Sequence, residues 1–372
     1  MRELTLVKPG RLEWLEVPEP TLTGEGDALV RPLVVARCDL DPVTVSGGFS
    51  RLLRAGLAVH VLDPCLCEIV GTPAYAPPFP VGHECVAEVV ACAPGVRSVK
   101  VGQRVVVPFQ VACGACAACQ RGLTSRCSAT GHSVTTYGFG QAARRFGGML
   151  TDLLRVPYAD AMLVPLPEGV DPRAAASASD NLPDAYRSVA PALRARPGAT
   201  VLVVGGAAAS IGLYAAGIAK ALGASLVDYW DTSRERLAIA ERLGVGVLDG
   251  NTRSLRAPCA LPRRYAISVD ARSDARGRGL ELALRSLEPG GICTSVGIYP
   301  AARTPLPLMQ MYVDGLTLTT GISNARVNIP AVLGLLAEGR FDPRLVTTRV
   351  APWESAHEAL HEKTTKLIVA RD

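Results

Sequence analysis

No stretch of about 18 apolar residues free of charge occurs in the chain, so a membrane-spanning helix is not expected. The most apolar segment, 199–226, is punctuated by glycine and broken by Lys220. Residues 1–11 mix charges with apolar side chains and lack the apolar core of an export signal, which predicts a cytoplasmic location. Clustered basic charge is missing too. The net charge of +5 is small and scattered, so neither a nucleic-acid partner nor a membrane partner is expected. There is no internal repeat and no low-complexity segment. Global disorder is excluded by a composition of 48% apolar and 20% charged residues. A length of 372 residues then suits two domains, each able to bury its own core.

Cysteine is not scarce. Eleven are present, an odd number, and four crowd between 113 and 127. Without an export signal, clustered thiols point to metal binding rather than to a disulfide framework. Cys113, Cys116, Cys119 and Cys127 are separated by two, two and seven residues. The short spacings let one turn aim thiolates at a single ion, and the longer arm closes a tetrahedron. Gly114 and Ala115 are small enough for that turn. Four thiolates exclude water, so this would be a structural zinc, contributing on the order of 10 kcal/mol to folding of the lobe. A redox or disulfide cluster is the alternative. An iron–sulfur centre fits less well, because the spacing misses both ferredoxin patterns.

The first third reads as strands and turns. Segments 4–7 and 12–17 flank the turn Lys8-Pro9-Gly10, 28–36 is rich in valine, and 85–93 and 104–108 are further strand candidates. After Pro165 the pattern alternates. Strands at 200–204, 225–229, 265–269 and 292–296 are separated by helices at 210–222, 233–243 and 280–287. Ile211, Tyr214, Ala215, Ile218 and Leu222 form one stripe of the first helix. Such alternation implies a parallel sheet covered on both faces. The tail adds helices at 330–337 and 353–361. The strand 201–204 runs into Gly205-Gly206-Ala207-Ala208-Ala209-Ser210-Ile211-Gly212. A glycine-rich turn opening a helix can cradle a pyrophosphate through backbone N–H groups and the helix dipole. This one is two residues longer than the usual Gly-x-Gly-x-x-Gly, with alanine at inner positions.

In combination these motifs resemble the zinc-containing medium-chain alcohol dehydrogenases. The cysteine lobe follows Val81-Gly82-His83-Glu84 and Val101-Gly102-Gln103-Arg104-Val105. The run Cys38-Asp39-Leu40-Asp41 lies upstream, and Thr364-Thr365-Lys366-Leu367 lies in the tail. The resemblance spans nearly the whole chain. It implies an α/β protein with a GroES-like, β-rich catalytic domain over 1–170 that carries the structural zinc lobe. A Rossmann domain with a doubly wound parallel sheet would cover 171–305, and 306–372 would return to the catalytic domain. The active site is expected in the cleft between the domains.

A catalytic zinc needs three protein ligands and one open position. Cys38 offers a thiolate at a strand end, and His83 offers an imidazole beside Gly82, which allows close backbone approach. The resemblance places the third ligand at Asp180, where many members have cysteine and others aspartate. Asp184 is the competing carboxylate. Thiolate, carboxylate and neutral imidazole together balance Zn²⁺. Asp41 would accept the other ring N–H of His83 and fix its tautomer. Glu84 resembles the family's carboxylate near the metal. Asp231, nineteen residues after Gly212 and ahead of Arg236, falls where the family's ribose-binding acid lies, with Asp228 as its rival. A carboxylate there repels a 2′-phosphate and favours NAD, although Arg234 could partly rescue NADP use. Lys366 resembles the family's C-terminal basic residue near the pyrophosphate.

Two features depart from the family. Leu40 stands where Ser or Thr usually relays the alcohol proton. Segment 50–80, with Cys65, Cys67, Tyr75 and a proline-rich stretch, is longer than expected and reads as a substrate-shaping loop or an oligomer contact. The expected activity is hydride transfer between NAD(H) and an alcohol, aldehyde or ketone. Two zinc ions per chain and a homo-dimer or homo-tetramer are expected with it. Two other readings stay open: a zinc-free, NADPH-linked reductase of C=C bonds on the same fold, and a non-catalytic zinc and dinucleotide binder.

Overall fold

In the computed structural model residues 1–371 are described, except 73–74, 132–133, 140–142, 252–259 and 275; residues 48 and 49 are described by backbone alone. The chain divides into two units. The first comprises Met1–Pro183, Ser323–Glu338 and Thr347–Asp372, and the second Asp184–Ile322 and Gly339–Val346. The divisions thus fall after Pro183 and Ile322, where the sequence suggests 170 and 305.

Among the described residues eight strands precede Pro183: β1 (Arg2–Lys8), β2 (Arg11–Glu16), β3 (Ala28–Ala36), β4 (Phe79–Pro80), β5 (Glu84–Cys92), β6 (Arg104–Val107), β7 (Leu154–Val156) and β8 (Val164–Pro165). β1 and β2 form an antiparallel hairpin across Gly10, and β4 joins the other edge of β1. β3 pairs antiparallel with β5, which pairs with β6, which pairs with β8. Valine-rich strands fit a pleated surface that packs on one side. Here Val30, Val89, Val105, Val107 and Val156 pack into one core with Leu4, Leu6 and Phe79.

The segment expected as a loop at 50–80 is largely helical. Helices Gly48–Ala58 and Cys67–Val70 flank a short 3₁₀ turn, Pro64–Leu66. Leu53, Leu66, Val70 and Tyr75 are anchored in the core, whereas Leu52, Val59 and Val61 are exposed. The proline-rich composition masks this, because the prolines cluster beyond Val70 and leave the helix-forming residues 48–58 intact.

The second unit is a six-stranded sheet: β9 (Thr200–Val204), β10 (Leu226–Asp231), β11 (Gly246–Asp249), β12 (Tyr265–Asp270), β13 (Leu287–Ser295) and β14 (Thr317–Thr320). The order is β11-β10-β9-β12-β13-β14, parallel throughout. That order reverses direction between β9 and β12, the topological switch where doubly wound sheets open a ligand crevice. Val201 to Val204 are fully buried, as a central parallel strand covered on both faces requires. The apolar stripe read for the following helix understates its burial. In Ala209–Ala221 every residue from Ala209 to Ala219 is buried, because alanine and glycine let neighbours approach from all sides.

The last two strands, β15 (Arg349–Pro352) and β16 (Leu367–Ala370), return to the first unit. β16 pairs antiparallel with β3 and parallel with β15, giving the sheet order β15-β16-β3-β5-β6-β8, with β7 also on β3. A helix expected from Pro330 begins earlier, at Ala325–Ala337, so the proline lies inside it rather than at its first position. The helix expected at 353–361 is shorter, a 3₁₀ turn followed by Ala356–Ala359. The GroES-like, β-rich unit and the Rossmann sheet are both as the resemblance implies. Among the described residues no helix is long and apolar enough to cross a membrane.

Gly217 offers a check on packing in the second unit. A Cβ built there would sit 2.3 Å from the ring of Phe341. Gly217→Ala is expected to cost about 1–3 kcal/mol in chemical denaturation. Adding Phe341→Leu should recover part of that loss; a double variant no more stable than the single would contradict the packing described.

Candidate active site

The β3–β5 register builds the first part of the site. Ala36 lies opposite Glu84, so Cys38, two residues past β3, comes beside His83, the residue before β5. Gly82 adopts φ +91°, and its carbonyl is so close to Gly138 that a Cβ on Gly138 would be 1.9 Å away. Glycine is therefore required where the chain turns into His83. The third element arrives through Ser179, the last residue of a 3₁₀ turn, Ala176–Ser179. Its hydroxyl accepts from Cys85 N at 2.8 Å and donates to Cys85 O at 3.1 Å. The amide of Phe109 donates to Ser179 O at 3.2 Å. Asp180 follows directly and is delivered to His83.

The donor atoms of Cys38, His83, Glu84 and Asp180 lie within 4.8 Å of one another. His83 Nε2 is 3.7 Å from Asp180 Oδ2, and Nδ1 is 3.5 Å from Asp41 Oδ1. Nδ1 is buried and makes no hydrogen bond at that distance. Asp41 is itself held by Cys38 N, which donates to Oδ2 at 2.9 Å. Leu40 N points at Cys38 Sγ at 3.4 Å, a contact that favours negative charge on sulfur. Asp184, the competing carboxylate, instead pairs with Arg187.

Burial opposes a charged His83 ring, but Asp41 and Asp180 outweigh it and lift the imidazole to about 9. The Cys38 thiol is pushed well up by burial, then by Asp180, Asp41 and Glu84. A thiol and three carboxylates crowd one buried pocket. A dication among them would offset that repulsion and favour thiolate and neutral imidazole, so the donor set fits a zinc ion.

Glu84 is fully buried and paired with Lys366 Nζ, at 3.0 Å from Oε2 and 3.2 Å from Oε1. Burial pushes its carboxyl up and the ammonium opposes that. Lys366 also donates to Arg37 O at 2.9 Å. This corrects the expectation that Lys366 contacts a pyrophosphate: its ammonium is wholly buried and committed to Glu84. The sequence shows a basic residue near the chain end but not that β16 carries it inward against β3.

In the cysteine lobe the sulfurs of Cys113, Cys116, Cys119 and Cys127 also lie within 4.8 Å of one another and are not paired as disulfides. Backbone amides aim at them. Cys116 N reaches Cys113 Sγ at 3.3 Å, and Cys113 N reaches Cys127 Sγ at 3.2 Å. The amide of Cys119 and the hydroxyl and amide of Ser128 bring the Cys116 thiol down to about 5. Converging thiolates of this kind fit a closed tetrahedral zinc site.

The glycine-rich turn in the second unit connects β9 to the helix Ala209–Ala221, as read. A Cβ at Gly205 would meet the Tyr229 hydroxyl at 2.2 Å and Asp231 Oδ2 at 2.5 Å. Gly206 packs on Arg272, and Gly212 on Ala271. The added residues of the turn are tied down: Ala207 N donates to Arg272 O and Ala208 N to Ala271 O, each at 3.0 Å. Gly212 N is bonded back to Ala208 O at 3.0 Å. The first-turn amides at Ser210 and Ile211 precede that bond, the place where a helix N-terminus receives an anion.

Asp231 differs from its expected state. Its carboxylate is fully buried and accepts from Arg236 Nε and Nη2, both at 2.7 Å, from the Tyr229 hydroxyl at 2.8 Å and from Ser233 N at 2.9 Å. It is not an open acceptor for ribose hydroxyls. Asp228, the rival acid, accepts from the Tyr265 hydroxyl at 2.6 Å.

Sequence reading missed three supports of the site. Arg37 donates to the carbonyls of Leu360, Glu362 and Thr364, which ties the tail beside Cys38. Its position next to Cys38, after a valine-rich strand, was a usable signal. Ser179 and Phe139, which meets His83 edge-on at 5.4 Å, carried none, because their roles depend on pairing across the fold.

Comparisons with known proteins agree with this architecture. A family model for the alcohol dehydrogenase GroES-like domain matches residues 24–168. A probable zinc-binding alcohol dehydrogenase of Mycobacterium tuberculosis is 30% identical over 286 residues, 76% of this chain and 70% of that protein. The L-galactonate-5-dehydrogenase of Escherichia coli is 28% identical over 367 residues, 96% of this chain and 94% of its own. The solved alcohol dehydrogenase TADH from Thermus sp. ATN1 matches over 100% of both chains, with a TM-score of 0.82 at 28% identity. The chain belongs to the zinc-type alcohol dehydrogenases of the medium-chain dehydrogenase/reductase family.

Gly138→Ala tests how tightly the His83 turn is held. The substitution should cost about 2 kcal/mol or more, from a positive φ and a backbone clash. It should also lower bound zinc; a variant with wild-type stability and zinc content would show that the turn is not so constrained.

Proposed function

We propose that this chain is a zinc-dependent, NAD-linked dehydrogenase that transfers a hydride between the dinucleotide and an alcohol, aldehyde or ketone. One observation carries the reading: Cys38, His83 and Asp180, distant in sequence, bring a thiol, an imidazole and a carboxylate to one buried point. Zinc held there supplies a Lewis acid for the substrate oxygen. Cys38 and Asp180 contribute two negative charges and His83 none, so an ion held by them is electrically balanced. Asp41 faces Nδ1 of His83 and leaves Nε2 turned toward Asp180. Lys366 engages both oxygens of Glu84, so Cys38, His83 and Asp180 are the three residues that would hold the ion. The second group, at Cys113, Cys116, Cys119 and Cys127, is proposed as a structural zinc site. A zinc-free reductase would have no use for either set. The relatives' names, alcohol dehydrogenase and L-galactonate-5-dehydrogenase, support hydride chemistry at a hydroxyl-bearing carbon.

For the dinucleotide, the turn 205–212 and its helix N-terminus provide the pyrophosphate site. The preference for NAD rests on the charge of Asp231. Because Arg236 matches that charge, Asp231 repels a 2′-phosphate less than an unpaired carboxylate would. The preference is therefore modest.

Cys38→Ser is expected to abolish turnover and to lower bound zinc from about two per chain to about one. Unchanged zinc in that variant would remove the basis of the reading. With the wild-type protein, kcat/KM should favour NADH over NADPH by about tenfold, roughly 1.4 kcal/mol. A ratio below one would assign the cofactor to NADP instead.

A further inference from the structure

Leu40 places no hydroxyl beside Cys38; its side chain packs against the core of the first unit. The long segment between β3 and β5 brings another hydroxyl to the same neighbourhood. Tyr75 is 1% exposed, and its hydroxyl makes no hydrogen bond. Buried phenols ordinarily find a partner. The Thr44 hydroxyl, which donates to Leu40 O at 3.1 Å, lies near the phenol without closing a hydrogen bond to it. Cys38 and Asp41 both act on the same phenol electrostatically. The Tyr75 ring stands edge-on to Phe139 at 5.2 Å, and Phe139 stands edge-on to His83 at 5.4 Å. Tyr75 also has φ +44°, a region unfavourable for a bulky L-residue. Two costs thus meet in one residue: a strained backbone and an unpaired buried hydroxyl. Such costs persist where a ligand supplies the missing partner.

We infer that Tyr75 donates its hydroxyl to the substrate oxygen at the Cys38–His83–Asp180 centre, making it a catalytic residue supplied by the inserted segment of this chain. This rests on the dehydrogenase reading of that centre. A hydrogen bond strengthens as its acceptor gains negative charge. The interaction therefore favours the oxygen once the alcohol has lost its proton, and its loss falls on kcat more than on KM.

The test is Tyr75→Phe, which keeps the ring on Phe139 and removes only the hydroxyl. With an alcohol that the wild type oxidises, kcat should fall about 10- to 100-fold, with little change in KM for the dinucleotide. Zinc content should be unchanged. The melting temperature without substrate should be unchanged or higher, since an unpaired buried group is removed. A variant with wild-type kcat overturns the inference. So does one whose lost activity comes with a lower melting temperature or lost zinc, because the hydroxyl then has a structural role. If the wild-type protein holds zinc and dinucleotide yet oxidises no alcohol and reduces no carbonyl compound, the dehydrogenase reading itself fails, and the inference falls with it.

Discussion

The antiparallel register of β3 on β5 is the constraint on which the site depends. With Ala36 opposite Glu84, the chain leaves one strand toward Cys38 beside the point where His83 enters the other. Ser179 then bonds both backbone groups of Cys85 and delivers Asp180. On the opposite edge of β3, Ile368 pairs with Ala36, which brings Lys366 to Glu84. A slip of one residue would turn every side chain of the strand to the other face and scatter these groups. The register is held by apolar packing, since Val30, Val35, Cys85, Ala87 and Val89 all enter the core.

That core has to offset an electrostatic cost. A carboxylate and an ammonium, Glu84 and Lys366, are both fully buried, and Asp41, Asp180 and Cys38 crowd beside them. A buried ion pair adds little net stability, but removing one partner strands the other, at about 3–5 kcal/mol. The pair therefore fixes geometry more than it stabilises the fold. It holds one carboxylate of the cluster through a second charge and keeps the tail of the chain in place. Arg37 completes that tie by donating hydrogen bonds from one guanidinium to three carbonyls of the tail. In the second unit Asp231 and Arg236 play a comparable part under the glycine-rich turn, where Gly205 alone leaves room for the Tyr229 hydroxyl and the carboxylate.

Much of this is legible in the sequence. The valine-rich strand 28–36 and the buried strand 200–204 occur with the limits read from their composition. The spacing of Cys113, Cys116, Cys119 and Cys127 announced convergence because short loops leave few other arrangements. Lys366 was expected at a pyrophosphate and the carboxylate of Asp231 was expected to be open, and both expectations failed for one reason. Position along the chain indicates which residue could meet a ligand, but not whether a neighbour has already claimed its charge. Glu84 claims the first and Arg236 the second, and neither pairing has a local signature. The segment 50–80 was read as a loop because proline dominates its second half, while its helices are held by Leu53, Leu66 and Val70 packing on a distant core.

The sequence by itself determined the two architectures, the cysteine lobe, the glycine-rich turn and the residue types of the candidate metal donors. These are written in periodicity and short spacings, which local backbone geometry converts into structure. Only the tertiary structure decided that Lys366 is spent on Glu84 and that the charge of Asp231 is already matched by Arg236. Both outcomes depend on competition among buried charges and hydrogen-bonding groups, and the first also on strand register between residues far apart in the chain.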